Sequence, residues 1–239
     1  MSLEFLAPSG VAADAESGPV ARSPMERSAA YDGAKFEVRD GWKVAVGYGS
    51  PRAAIATETA GWADMSHIAK LELQGTGEAI EAAAGFPLPF GTAVRQDGAW
   101  FCRLTPTRAL VVGAHPAPSV RERLSSADGV NLVDVTTNFA ALTVVGPLSR
   151  ELFARFSAID LRPAITPVGA LRPGSVARQP AILICESEDR YLYLFGWATG
   201  EYVWSVVADA GHHLGGHGIG VDSLAVLEGP APAQEASRA

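Results

Sequence analysis

His212, His213 and His217 form the densest set of metal-ligand types in the 239-residue chain. Set among glycines at i, i+1 and i+5, with no acid between them, they do not share one helix face as HExxH zinc ligands do. The better reading is a helix end, where histidine suits the negative pole of the dipole. Gly215–Gly216–His217–Gly218–Ile219–Gly220 has the spaced glycines of a phosphate loop. It lacks the preceding strand and the following helix of a dinucleotide site. Ser66 and His67 are a nucleophile and a base by type, yet neighbours on a strand point to opposite faces. Asp64 and Asp134 each stand just before a β-prone run, where Asp commonly accepts backbone N–H bonds in a turn. Trp62, Trp100 and Trp197 offer flat rings, with packing the commoner use. Arg103 and Arg162 offer forks for the carboxylates of a ligand or of an acidic partner. Cys102 and Cys185 lie far apart without a CxxC spacing and read as buried thiols.

The scaffold that must position these residues shows itself by repetition. A first copy begins Asp64–Met65–Ser66, runs through Leu71-x-Leu73-x-Gly75 and enters a helix over 77–84 that ends at Gly85. About seventy positions later, Asp134–Val135–Thr136 leads through Leu142-x-Val144-x-Gly146 into a helix from Pro147 carrying Glu151, Leu152 and Phe156. Each copy continues through a Pro/Gly turn, Phe86–Pro87–Leu88–Pro89–Phe90–Gly91 in one and Pro167–Val168–Gly169 in the other. A hairpin follows, over 93–94 and 100–104 or over 181–185 and 191–195. Then comes a helix, over 118–124 or 200–210, the latter with Tyr202, Val203, Val206, Val207 and Ala210 as its apolar face. A strand over 43–46 and a helix over 51–59, capped by Ser50, precede the repeat. The β-α-β-β-α order predicts an α+β fold: two duplicated ferredoxin-like split-βαβ units packed about a pseudo-twofold. The units span about 40–125 and 126–228, and the cleft between them is the natural ligand site. Residues 1–23 and 229–239 lack periodicity and are expected to be disordered.

Composition narrows the partners. Nineteen basic against twenty-six acidic residues give −7, which argues against sequence-independent nucleic-acid or anionic-membrane binding. No apolar stretch reaches the ~20 residues that span a bilayer. The opening residues do not read as a secretory signal, so the expected location is cytoplasmic.

Ser23–Pro24–Met25 through Tyr48, with Gly61–Trp62–Ala63–Asp64–Met65–Ser66–His67, resembles the opening of the glycine-cleavage T-protein (aminomethyltransferase) family. The second half is more similar to a relative, the gamma subunit of heterotetrameric sarcosine oxidase. Val133–Asp134–Val135–Thr136, Leu142–Thr143–Val144–Val145–Gly146–Pro147, and Ile159–Asp160–Leu161–Arg162–Pro163 followed by Pro167–Val168–Gly169 carry that likeness. It covers about Pro24 to Leu227. The resemblance implies two intertwined α+β units around a folate cleft; full-length T-proteins add a C-terminal β-barrel that has no counterpart here. Tetrahydrofolate is the implied cofactor and a small amine the implied substrate. On the oxidase side, the implied partner is a larger subunit.

T-proteins hold a carboxylate near the folate nitrogens, in an Asp-Asp pair after the first hairpin turn. The matching stretch here is Ala99–Trp100–Phe101–Cys102–Arg103, without an acid, and Asp97 beside Gly98 reads as a turn former. T-proteins also clamp the pterin with an acid in a Gly-Tyr-Thr-Gly-Glu string. Gly196–Trp197–Ala198–Thr199–Gly200–Glu201 nearly matches it, although Glu201 also suits the first turn of a helix. The folate-binding candidates are therefore Met65, Trp100, Arg103, Trp197 and Glu201; no catalytic residue is assigned. Two functions follow: an accessory subunit of a tetrahydrofolate-linked, sarcosine-oxidase-like complex, or a competent aminomethyltransferase acting on glycine or a methylated amine. The missing acid pair and barrel place the accessory role first.

Overall fold

A computed structural model describes residues 19–49, 52–113 and 118–227. The Ser50 cap and most of both chain ends therefore lie outside the described residues. An N-terminal module comprises β1 (Ala21–Arg22), α1 (Glu26–Tyr31), β2 (Lys35–Arg39), β3 (Trp42–Gly47) and α2 (Arg52–Glu58). The first unit runs β4 (Gly61–Asp64), β5 (Ala69–Gly75), α3 (Gly77–Ala84), β6 (Ala93–Gln96), β7 (Ala99–Thr105), β8 (Arg108–Gly113) and α4 (Pro118–Ser125). The second runs β9 (Val130–Asp134), β10 (Phe139–Val145), α5 (Ser149–Ala154), β11 (Leu171–Val176), β12 (Gln179–Ser187), β13 (Arg190–Gly196) and α6 (Gly200–His212). β14 (His217–Gly218) and α7 (Val221–Leu227) follow.

The duplicated α+β architecture is present, and its two halves are interlaced. One sheet has the order β6-β7-β8-β5-β9, the other β11-β12-β13-β10-β4-β14. β4 leads into β5 along the chain but pairs with β10 in the opposite sheet; β9 leads into β10 but pairs with β5. The registers repeat this symmetry, with Leu142 opposite Asp64 and Leu71 opposite Asp134. Each unit thus donates its leading strand to the other, so neither sheet is complete without both halves.

The sheets lie face to face between two helical layers. Leu71, Leu73, Phe101 and Val111 pack outward on Ile80 of α3 and on Val120 and Leu124 of α4. Leu142, Val144, Tyr191 and Tyr193 pack outward on Phe153 of α5, Val203 and Val207 of α6, and Met25 and Ala29 near α1. Alternation along the strands sends the intervening residues inward. Trp100, Cys102, Leu110, Val112, Ala141, Leu171, Ile184, Leu192 and Leu194 form the layer between the sheets. Each fully buried large apolar chain contributes roughly 1.5–3 kcal/mol. The expected cleft between the copies is therefore filled by side chains.

α3 forms as expected over Gly77–Ala84, with Thr76 accepting the Ala79 N–H at 3.2 Å and Gly85 closing the helix at φ 84°. The Asp97–Gly98 turn has φ 52° and 77°, the paired left-handed geometry of a two-residue hairpin. Within the two units, four strands depart from expectation. β8 is apolar without alternation because both its faces are buried, so no period-2 signal marks it. β11 contains Pro173 and Gly174, which an edge strand tolerates. β4 and β9 are short and owe their pairing to the other unit. α5 starts at Ser149 rather than Pro147 and stops before Phe156. On α6 the buried face is Val203, Trp204, Val207 and Gly211, leaving Tyr202 46% exposed. Ala21–Arg22, within the segment expected to be disordered, pairs with Trp42–Lys43.

Candidate functional site

Strand exchange creates two crossovers, where the buried polar residues Asp64, Ser66, Lys70 and Thr136 gather. At the first, Asp64 Oδ1 accepts the Ser66 N–H at 2.9 Å; at the second, Asp134 Oδ1 accepts the Thr136 N–H at 3.0 Å. The Ser66 hydroxyl accepts the Ala141 N–H at 3.2 Å, and the Thr136 hydroxyl accepts the Lys70 N–H at 3.1 Å. Met65 N–H donates to the Ala141 carbonyl and Val135 N–H to the Lys70 carbonyl, at 2.8 and 2.9 Å. Each short polar side chain thus satisfies backbone that the exchange would leave unpaired.

The pseudo-equivalent of Ala141 is Lys70, and here the symmetry breaks. Lys70 has no exposed surface. Its ammonium donates to the carbonyls of Ser66 at 2.8 Å, Ile68 at 3.0 Å and Thr136 at 3.4 Å, tying both crossovers together. Burial lowers its pKa to about 7, opposed by the charges of Asp64 and Asp134. Burial also pushes the Asp64 carboxyl upward, against its bonds from Ser23 and Ser66 and the charge of Lys70. The Tyr48 hydroxyl is buried without a partner among the described residues and is likewise raised, chiefly by burial. Asp134 instead pairs with Arg121 at 3.1 Å near the surface. Lys70 is not among the candidates read from the sequence; its signal there is a lysine standing where the aligned second copy has Ala141.

Of the five folate candidates, Met65 and Trp100 share the inter-sheet layer, while Arg103, Trp197 and Glu201 have other surroundings. Met65 packs at the first crossover, between the inter-sheet layer and the Ala56–Ala63–Ile219 cluster. Trp100 is 7% exposed in the inter-sheet layer, and its indole N–H donates to Glu186 at 2.8 Å. Arg103 points the other way, donating to the Thr105 carbonyl at 2.9 Å and the Pro106 carbonyl at 2.6 Å. Trp197 packs on Trp42 with centroids 5.8 Å apart. Glu201 lies at the start of α6 and forks with Arg27 at 2.8 and 2.9 Å, which holds its carboxyl below the usual range. Glu201 lines a groove, an open furrow of about 340 Å³ between α1 and α6 shared with Tyr31, Asp32 and Trp204. A second furrow of about 620 Å³ is lined by Lys35, Tyr48, Arg52, Ile219 and Asp222.

The remaining candidates have structural uses. The rings of His212 and His217 are 5.7 Å apart, and no group of three metal-ligand side chains occurs among the described residues. The glycine run threads β14 against β4: a Cβ at Gly216 would strike the Ala60 carbonyl, and one at Gly220 the Val46 carbonyl. Close backbone approach, rather than a phosphate, accounts for these glycines. Gly211 lets α6 pass over the Trp62 ring, which a Cβ there would strike. Both cysteines are free and buried. No helix among the described residues is long and apolar enough to cross a membrane.

No protein-family model and no curated protein matches the chain. Its fold is similar to that of a chain of the heterotetrameric sarcosine oxidase from Corynebacterium sp. U-96. The TM-score is 0.63 at 19% identity, and the match covers 81% of this chain and 96% of that one. It is also similar to the glycine cleavage system aminomethyltransferase T from Bartonella henselae, with TM-score 0.65 at 15% identity and 85% of this chain covered. This chain spans 60% of that enzyme's length. The aminomethyltransferase-like fold implied by the sequence resemblance is therefore present.

Proposed function

We propose that this chain is an accessory subunit of a cytoplasmic, tetrahydrofolate-linked complex in which a larger partner oxidises a methylated amine and holds the folate. The observation that carries this reading is the filled space between the two repeats, where Trp100, Leu110, Ile184 and Leu192 pack together. A ligand the size of a folate has no interior room there, and Arg103 is committed to backbone carbonyls. Further support comes from the sarcosine oxidase match, which extends over 96% of that enzyme's chain. The chain's part would be to order a partner surface, an interaction with no reacting group of its own.

Isolation of the tagged full chain from its source cells, followed by amine-dependent oxygen uptake, tests this. Oxygen uptake on a methylated amine is expected in the isolated complex and absent from the chain alone. One-carbon transfer to tetrahydrofolate by the chain alone would overturn the reading. A second reading, a competent aminomethyltransferase, rests on Glu201. Its carboxylate lines an open groove and is shaped to accept paired hydrogen bonds from an aminopyrimidine edge once Arg27 moves aside.

A further inference from the structure

Seven large apolar side chains are exposed among the described residues, and three of them sit on two related turns: Phe90 at 68%, Ile165 at 47% and Val168 at 56%. Pro89–Phe90–Gly91 and Pro167–Val168–Gly169 occupy equivalent places in the two units. Each glycine takes a left-handed φ, 76° and 78°, and each donates its N–H to the strand behind it, to Arg103 at 3.0 Å and Cys185 at 2.8 Å. The turns are joined across the two sheets by the Thr92–Ala170 bridge and by Ala93 N–H on the Gly169 carbonyl at 3.0 Å. The longer turn is braced internally, with Thr166 Oγ1 on the Asp160 carbonyl at 2.7 Å and Ile165 N–H on the Arg162 carbonyl at 2.8 Å. Apolar side chains on turns this well bonded lose little entropy on being covered, which favours association.

The charges around the turns say what covers them. Extending the antiparallel Thr92–Ala170 pairing puts Arg172 opposite Phe90 and Arg95 opposite Pro167, the neighbour of Val168. Arg172 donates to the Ile165 and Leu171 carbonyls, and Arg95 lies over the Trp100 ring; neither meets a carboxylate among the described residues. The Arg162 fork is 78% exposed beside Asp160. Arg162 is paired with Asp160 and Arg190 with Glu186, and Glu81 accepts the Leu88 N–H, so Arg95 and Arg172 leave this end with a small positive excess in a chain of net charge −7. A second copy would bring like charge against like.

We propose that the two turns form a docking surface for an apolar face, rimmed by carboxylates, on the larger subunit of the complex. This rests on the accessory reading above. The test uses the full tagged chain, isolated from its source cells as wild type, as Phe90→Ser/Ile165→Ser/Val168→Ser and as Arg95→Glu. Amine-dependent oxygen uptake is measured per mole of tagged chain, with thermal melts confirming that each variant folds. The expected result is uptake with the wild type, at least tenfold less with the triple variant and severalfold less with Arg95→Glu. Equal uptake with all three overturns the docking surface and leaves the accessory reading standing. No uptake with the wild type removes both. Self-association of the wild type that the triple variant abolishes assigns the surface to a second copy instead, and the proposal fails.

Discussion

The two crossovers have the same backbone design and different surroundings. Asp64 is 6% exposed and lies under the N-terminal module, with Ser23 on its carboxylate and the orphaned Tyr48 hydroxyl nearby. Asp134 keeps 19% of its side chain exposed and pairs with Arg121. The backbone bonds of an Asp–x–Ser/Thr turn are sufficient to steer a strand into the opposite sheet, since both copies do so. What differs is the cost of losing the acid, because a charge removed from a closed interior leaves its partners unsolvated, while a half-open site readmits water.

That difference can be measured. Asp64→Ala strands the Ser66 N–H and deprives the buried Lys70 of the stronger of its two carboxylate interactions, so a loss of about 3–5 kcal/mol is expected in urea unfolding. A loss below about 1 kcal/mol would show that the two crossovers are equivalent after all. Lys70→Met removes the donor to three carbonyls and should cost about 2 kcal/mol at neutral pH. Its sharper signature is in pH. In the native state the ammonium titrates near 7, against ~10.4 when unfolded. Between these values the unfolded chain binds more protons, so the lysine makes stability rise with pH across that window and contributes no slope below it. Unfolding midpoints measured from pH 6 to 10 should lose that rise in Lys70→Met, and an unchanged profile would place the lysine in water. Asp134→Ala should cost about 1 kcal/mol by the same urea measurement, well under the Asp64 variant. Glu201→Ala, at a fully exposed ion pair, should leave the urea midpoint at the parent's value.

The sequence carried the duplication, because Asp64 and Asp134, Leu71 and Leu142, and Gly91 and Gly169 are local marks in the same order, 70, 71 and 78 positions apart. It carried α3 to the residue, since Gly77–Ala84 stands between a threonine cap and a left-handed glycine. The exchange of β4 and β9 was not legible: a four- or five-residue strand shows its pattern but not its partner, and the pairing is fixed by contacts about seventy residues distant. β8 was lost for a different reason, since a strand buried on both faces has no alternation. The candidate site was legible as residue types and not as a place. Trp100 and Arg103 are three positions apart on β7, and alternation sends them to opposite faces. The family likeness marked both, and strand geometry separates them.

On the proposed reading this chain carries the aminomethyltransferase-like fold while the larger partner holds the folate. Isothermal titration of the purified chain with tetrahydrofolate and 5-formyltetrahydrofolate, for wild type and Glu201→Ala, tests it most directly. No saturable heat at millimolar ligand is the predicted result. Micromolar binding that Glu201→Ala weakens about tenfold, ~1.4 kcal/mol, would contradict it and make the furrow between α1 and α6 the folate site.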